Sequence, residues 1–251
     1  MPARFFLDTH PENGRVVIGG ELASHLARSL RMRVNDTLVA VDPGGTEHGV
    51  RLVGVSGTVV EGEVAWSRPV TGEPRLRVTL LQALPRDRIE DCVDIAVQAG
   101  VAAIVPVLTE RTLSRPEPER IAARVRRWNA VAREAAQLSG RGIIPPVHAP
   151  GPLATALDHL AAGTRVIACT IEREAPPLAQ LDIEPQAPLA LCIGPEGGLG
   201  GADLMALDEN GAEWAHLGPR VLRSRYAGAV ATALLLAAAG DLDLAAAPAP
   251  W

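Results

Sequence analysis

Hydrophobic positions along the chain follow two regimes. Up to about residue 68 they come as short β-type runs: Val16-Val17-Ile18, Thr37-Leu38-Val39-Ala40-Val41, Val50-Arg51-Leu52-Val53 and Gly57 to Val64. Asp42-Pro43-Gly44-Gly45 supplies a turn between two of them, and one short helix, Glu21 to Leu30, interrupts the series. This pattern predicts a small β-barrel. Ser67-Arg68-Pro69-Val70-Thr71-Gly72-Glu73-Pro74 then carries proline and glycine without a period and reads as a linker.

Beyond the linker the period changes. Strand-like Leu76 to Ala83 precedes a helix from Asp87 to Ala99, which Gly100 stops. Strand Ala102 to Val107, a long helix from Glu117 to Leu138 and a helix from Leu153 to Leu160 come next. Strands Arg165 to Thr170 and Leu189 to Ile193 lead to helix Ala202 to Glu209, strand Trp214 to Leu217 and a last helix from Arg223 to Ala239. Strands alternating with helices predict an α/β domain whose mostly parallel sheet is covered on both faces, with ligands beyond the carboxyl ends of the strands. The expected division is a barrel over residues 1–70, an α/β domain over 75–244, and a loose tail from Ala245 to Trp251.

Composition narrows the class. At 251 residues, 47% of them hydrophobic and 21% charged, the chain has material for real cores. It shows neither an apolar run long enough to span a bilayer nor a signal-peptide core at its start, so a cytoplasmic protein with no membrane association is expected. Cys92, Cys169 and Cys192 are widely spaced in apolar surroundings and read as buried thiols; with the histidines scattered, no metal site is expected.

The net charge of -5 argues, taken whole, against a nucleic-acid binder, but its distribution does not. Eight arginines fall between Arg111 and Arg141 against three acids, Glu117, Glu119 and Glu134, a local balance of +5. On the long helix, Ile121, Val125, Trp128 and Ala132 share one stripe, whereas Arg126, Arg133 and Gln137 share another. That second stripe is either a solvated face or a phosphate-binding one, and the same alternatives hold for Arg28, Arg31 and Arg33 after the short helix.

No phosphate-binding Gly-rich loop with lysine, dinucleotide fingerprint, nucleophile elbow or His-Glu-x-x-His motif is present. Two glycine-bearing loops remain. Gly194-Pro195-Glu196-Gly197-Gly198 follows the apolar run Leu189 to Ile193, and His216-Leu217-Gly218-Pro219-Arg220-Val221-Leu222-Arg223-Ser224 again joins a strand to a helix. Both fall at expected strand carboxyl ends, where they could line one crevice, and glycine leaves main-chain groups open to a ligand.

In order and spacing, these loops resemble the SPOUT, or α/β-knot, class of methyltransferases, and within it the ribosomal RNA small subunit methyltransferase E family, which methylates uracil N3 in 16S rRNA. The resemblance extends to His25-Leu26-Ala27-Arg28-Ser29-Leu30-Arg31, Ala83-Leu84-Pro85-Arg86, Gly100-Val101, Thr109-Glu110-Arg111, Glu134-Ala135-Ala136-Gln137 and Arg141, and so covers nearly the whole chain. It implies a PUA-like RNA-binding barrel before a trefoil-knot catalytic domain, a homodimer, and S-adenosyl-L-methionine as cofactor. That cofactor would be held by Thr170, by Gly194, Pro195, Glu196, Gly197 and Gly198, and by Leu217, Gly218, Leu222, Arg223 and Ser224. Methylation at uracil N3 needs a proton acceptor and a cation over the pyrimidine oxygens, for which Glu196 and Arg223 are the candidates; a carboxylate that braces its loop is the alternative for Glu196, and phosphate or partner-subunit contact for Arg223. Arg28, Arg31, Arg33, Arg111, Arg126, Arg133, Gln137 and Arg141 would contact ribosomal RNA of the small subunit. Another RNA target, such as a ribose 2'-oxygen, or a non-catalytic RNA-binding role on the same fold, are the alternatives. The chain departs from the family pattern in Ser224-Arg225-Tyr226-Ala227, which stands where a Thr-Glu-Thr-Ala-like run is usual, in lacking a lysine near Arg86, and in Gln98-Ala99 replacing a Glu-Leu pair.

Overall fold

The computed structural model describes residues 3–243, so the expected tail from Ala245 lies outside the described residues. The described residues form two units, one from the stretch up to Glu73 with Gln137–Ile143, the other from Pro74–Ala136 with residues 144–243.

In the first unit, β1 (Arg4–Phe6), β2 (Arg15–Gly19), β3 (Thr37–Val41), β4 (Thr46–Val55) and β5 (Val59–Pro69) make one sheet in the order β1-β3-β4-β5-β2. Strand β1 pairs parallel with β3, and the other pairings are antiparallel. The sheet curls round Phe5, Val16, Ile18, Leu38, Ala40, Val50, Leu52 and Val60, the inward half of each alternating strand. Register shifts at Gly49/Val50 and Leu52/Gly54 bend β4 against β5, as barrel closure needs. Helix α1 (Gly20–Ser24) runs into a π-helical turn, His25–Ser29, and puts Ala23 and Leu26 into the core, so the single helix expected from Glu21 to Leu30 is two conformations. Strand β5 continues to Pro69, which pairs with Thr46, so the first residues of the expected linker are strand. Proline is tolerated there because it ends the strand.

Glu73 and Arg141 staple this unit. Arg141 Nη2 donates to Glu73 Oε2 at 2.7 Å and its Nε to Oε1 at 3.2 Å, while the Gly142 and Ile143 N–H groups donate to Oε1 at 2.8 and 3.1 Å. Burial opposes ionisation of Glu73, but the Arg141 hydrogen bonds and charge, with the two N–H groups, outweigh it and hold the carboxyl below its ordinary 4.5. A depressed carboxyl contributes stability that is complete above that value and is lost as pH falls through the lower folded value. Arg141→Ala, which strands the carboxylate, is therefore expected to cost about 3–5 kcal/mol in urea unfolding at pH 7. The deficit should shrink in acid below pH 4.5, where wild type loses the same pair.

The second unit holds β6 (Val78–Ala83), α2 (Ile89–Ala99), β7 (Ala103–Leu108), α3 (Pro118–Leu138), β8 (Gly151–Pro152), α4 (Leu153–Asp158), β9 (Arg165–Cys169), β10 (Leu189–Ile193), α5 (Gly201–Glu209), β11 (Glu213–Ala215) and α6 (Ser224–Ala238). Its sheet order is β11-β9-β10-β6-β7-β8, with every pairing parallel. Strand β10 is buried along its whole length because it enters between β9 and β6, which explains its unbroken apolar run. Helix α6 lies on β6 so closely that a Cβ on Gly228 would stand 2.8 Å from Gln82 Oε1 and 2.9 Å from Leu80 Cδ2. Among the described residues no helix is long and apolar enough to cross a membrane.

Candidate functional site

Neighbouring strands β11, β9, β10 and β6 deliver their carboxyl ends side by side, and the loops that follow them build the site. After β10 the chain turns at once: Gly198 N donates to Pro195 O at 3.0 Å, and Gly198 takes φ +73°, a conformation that favours glycine. Pro195 is buried, whereas Glu196 and Gly197 are exposed, so the main chain at the turn's tip is accessible.

Two acidic residues fix this turn from outside. Asp203, 6% exposed, accepts the Gly200 N–H at 2.9 Å and the Glu110 N–H at 3.0 Å. Glu110 answers across the contact, its Oε2 accepting the Ala202 N–H at 3.1 Å at the start of α5. Gly200 is required beneath that carboxylate, since a Cβ there would collide with the Glu110 side chain. Arg111 Nη1 adds a bond to Gly197 O at 2.8 Å, so Thr109-Glu110-Arg111 clamps the turn at three points. On the other side, Glu196 Oε2 accepts the Arg86 N–H, 3.3 Å away, from the loop after β6.

The second loop follows β11. His216 is held by segment 176–178, its N–H donating to Pro176 O at 3.0 Å and its carbonyl accepting from Leu178 N at 2.9 Å. Gly218, at φ +98°, donates its N–H to His216 Nδ1 at 3.0 Å. Leu217, Gly218 and Leu222 are half-buried; Pro219, Arg220, Val221 and Arg223 are exposed. Ser224 then joins the two loops, its Oγ donating to Gly194 O at 2.8 Å. Gln82, on β6 and 1% exposed, donates to Ser224 Oγ at 3.1 Å and to Ala83 O at 3.0 Å, fixing the hydroxyl from below. Thr170, just past β9, accepts the Glu172 N–H on its Oγ1 at 3.0 Å.

The structure therefore brings together Thr170, Gly194 to Gly198 and Leu217 to Ser224. Glu110, Asp203, Gln82 and Glu172 were not among the expected site residues. Asp203, three residues after Gly200 at a helix start, had a capping signal, and Gln82 was a polar residue ending an apolar strand. The unusual Arg225 and Tyr226 face the start of α2: Arg225 pairs with Asp87 at 3.6 Å and lies 4.9 Å over the Tyr226 ring. Tyr226, ahead of Asp87 and Asp91, favours the charged guanidinium. The Ser224–Gly194 bond is left intact beside them. Burial, with the Glu196 and Asp91 charges, pushes the Cys92 thiol up to about 12, and burial alone does the same for Cys169, so neither is a nucleophile at neutral pH.

Of the arginines expected to meet RNA, Arg28, Arg31, Arg33, Arg126 and Arg223 (the last expected in catalysis) are exposed and make no ion pair among the described residues. Arg133 is half-buried, and Arg111 is half-exposed beside Gly197. Gln137 and Arg141 sit differently. Gln137 Oε1 accepts the Phe6 N–H at 3.5 Å, and the buried Arg141 guanidinium is given over to Glu73, a strut inside the first unit. Among the described residues no group of His, Cys, Asp and Glu could hold a metal ion.

A family model described as an RNA methyltransferase domain matches residues 72–236. The chain is 34% identical over 237 residues to the ribosomal RNA small subunit methyltransferase E of Mycobacterium bovis, covering 90% of this chain and 88% of the relative. Among solved structures, the protein of the same description from Neisseria gonorrhoeae, bound to S-adenosyl methionine, superposes with a TM-score of 0.85 at 28% identity, over 94% of this chain and 98% of that one. A Legionella pneumophila methyltransferase in complex with the same cofactor gives 0.86 at 25% identity, over 95% and 98%.

Proposed function

Because the chain belongs to the ribosomal RNA small subunit methyltransferase E family, with the SPOUT α/β fold behind a small barrel-like domain, we propose that it methylates N3 of a uridine in small-subunit ribosomal RNA from S-adenosylmethionine. The observation that carries this is the Ser224–Gly194 bond, which makes one site of two glycine loops at the carboxyl ends of β10 and β11, the strands on either side of β9.

The residues present fit that cofactor. Main chain at Glu196 and Gly197 is exposed at the tip of the turn, where an adenine edge would meet it, and the carboxylates of Glu110 and Glu172 around the turn suit a ligand carrying a sulfonium and an ammonium. Gly194 to Gly198, Leu217, Gly218 and Leu222 to Ser224 would hold it, with Thr170 at the side. When bound, it supplies a methyl group on cationic sulfur, open to in-line displacement. What remains for the protein is positioning and one proton. Uracil N3 must lose its hydrogen as it attacks, and the Glu196 carboxylate accepts it: its Oε2 is tethered by the Arg86 N–H, which leaves Oε1 to act as base. Arg223, with its guanidinium unpaired among the described residues, stabilises the negative charge that spreads over the pyrimidine oxygens.

RNA is held by arginines on each unit: the exposed Arg28, Arg31 and Arg33 on a barrel spanning 1–70, and the exposed Arg111 and Arg126 with the half-buried Arg133 on a methyltransferase domain spanning 75–244. The working form is a cytoplasmic homodimer. Arg126→Glu, placing a carboxylate against phosphate, is expected to weaken RNA binding about tenfold and to flatten its salt dependence. Cofactor affinity by calorimetry should not change; equal loss of both would show Arg126 to be structural.

The proposal is tested with purified protein, S-adenosylmethionine and unmethylated small subunits. The expected product in nuclease digests is 3-methyluridine. A ribose-methylated nucleoside would move the target to the 2'-oxygen, and a well-folded dimer that binds no cofactor would leave only an RNA-binding role.

A further inference from the structure

Glu172 stands in an unusual position for a carboxylate that takes no direct part in the fold. It follows Thr170, whose Oγ1 accepts its N–H at 3.0 Å, and its own Oε1 lies 2.5 Å from where a Cβ on Gly198 would be. The carboxylate thus rests on the glycine turn that the cofactor reading assigns to the adenosine end of the ligand. Neither of its oxygens accepts a hydrogen bond among the described residues, and the side chain is 52% exposed. Arg111 is the nearest cation, but at 3.9 Å it is beyond hydrogen-bond reach, and its Nη1 already serves Gly197 O at 2.8 Å. The next residue pins the segment: Arg173 makes two bonds to Asp208, at 2.9 and 3.1 Å, and stacks 4.2 Å over the Trp214 ring. An acceptor with open lone pairs is therefore held in place on both sides, against the loop, by contacts that do not use its oxygens.

We propose that Glu172 binds the ribose of the cofactor, its carboxylate accepting from the vicinal 2'- and 3'-hydroxyls. A carboxylate is acceptor-only and a ribose diol offers two donors, the pairing that acidic residues make at the carboxyl ends of strands in nucleotide-binding α/β sheets. The glycine at 198 is then needed twice, for its backbone conformation and to let the carboxylate lie flat on the turn. This assignment rests on the cofactor reading above.

The test pairs a variant with a ligand change. Calorimetry is run with S-adenosylhomocysteine and with its 2'-deoxy and 3'-deoxy analogues on wild type, Glu172→Ala and Glu172→Gln. Wild type should lose about 10- to 100-fold in affinity for at least one deoxy analogue, the value of a hydrogen bond to a charged group. Glu172→Ala should lose a similar factor for the natural ligand and show no further loss for that analogue, with Glu172→Gln between the two. A deoxy penalty as large in Glu172→Ala as in wild type would overturn the assignment, leaving Glu172 a brace for its loop. Wild type binding none of the ligands would overturn the cofactor reading itself, and Glu172 with it.

Discussion

Glu196→Gln is expected to lower kcat for methyl transfer by about 10²- to 10⁴-fold, the range of a lost general base, while leaving the cofactor dissociation constant within a few-fold of wild type. The amide keeps the shape of the side chain and can still accept the Arg86 N–H, which wild type places 3.3 Å from Oε2. It cannot take a proton from uracil N3. Glu196 is exposed on the tip of the turn, so the substitution should leave the melting temperature nearly unchanged. A carboxylate that only braces its loop would give the opposite split: weaker cofactor binding with kcat at saturation intact.

Asp203→Ala should be the most destabilising change near the site. Its buried carboxylate satisfies two backbone donors, Gly200 N at 2.9 Å and Glu110 N at 3.0 Å, and removing it leaves both without that partner. At about 1.5–3 kcal/mol for each bond to a charged group, a loss of about 3–6 kcal/mol is expected, or about 10 °C in melting temperature. Because Glu110 and the Gly194 turn share this contact, cofactor affinity should fall with it. Asp203→Asn, which keeps one acceptor oxygen, should recover about half of the stability.

The candidate site was legible in the sequence where its signal is local. Gly194 to Gly198 and Gly218 announce turns by composition alone, and the unbroken apolar run Leu189 to Ile193 announces a strand buried on both faces. The alternation of periods likewise disclosed the α/β sheet, although not its order, since the entry of β10 between β9 and β6 is a matter of long-range pairing. What joins the loops was hidden for the same reason. Ser224 meets Gly194 across 30 residues, Gln82 meets Ser224 across 142, and Glu110 meets Asp203 across 93. No periodicity records such contacts. Arg141 shows the converse: in a run of arginines it resembles a surface cation, and only the fold reveals Glu73, 68 positions earlier, beneath it. Strand β1, three residues long, is too short to display an alternation.

Mass spectrometry of nucleosides from small-subunit ribosomal RNA, in a strain lacking this gene and in the same strain carrying it back, reads the target atom directly. Loss of 3-methyluridine on deletion, restored by the wild-type chain and not by Glu196→Gln, is the expected result. An unchanged 3-methyluridine level in the deletion strain would contradict the assignment to uridine N3.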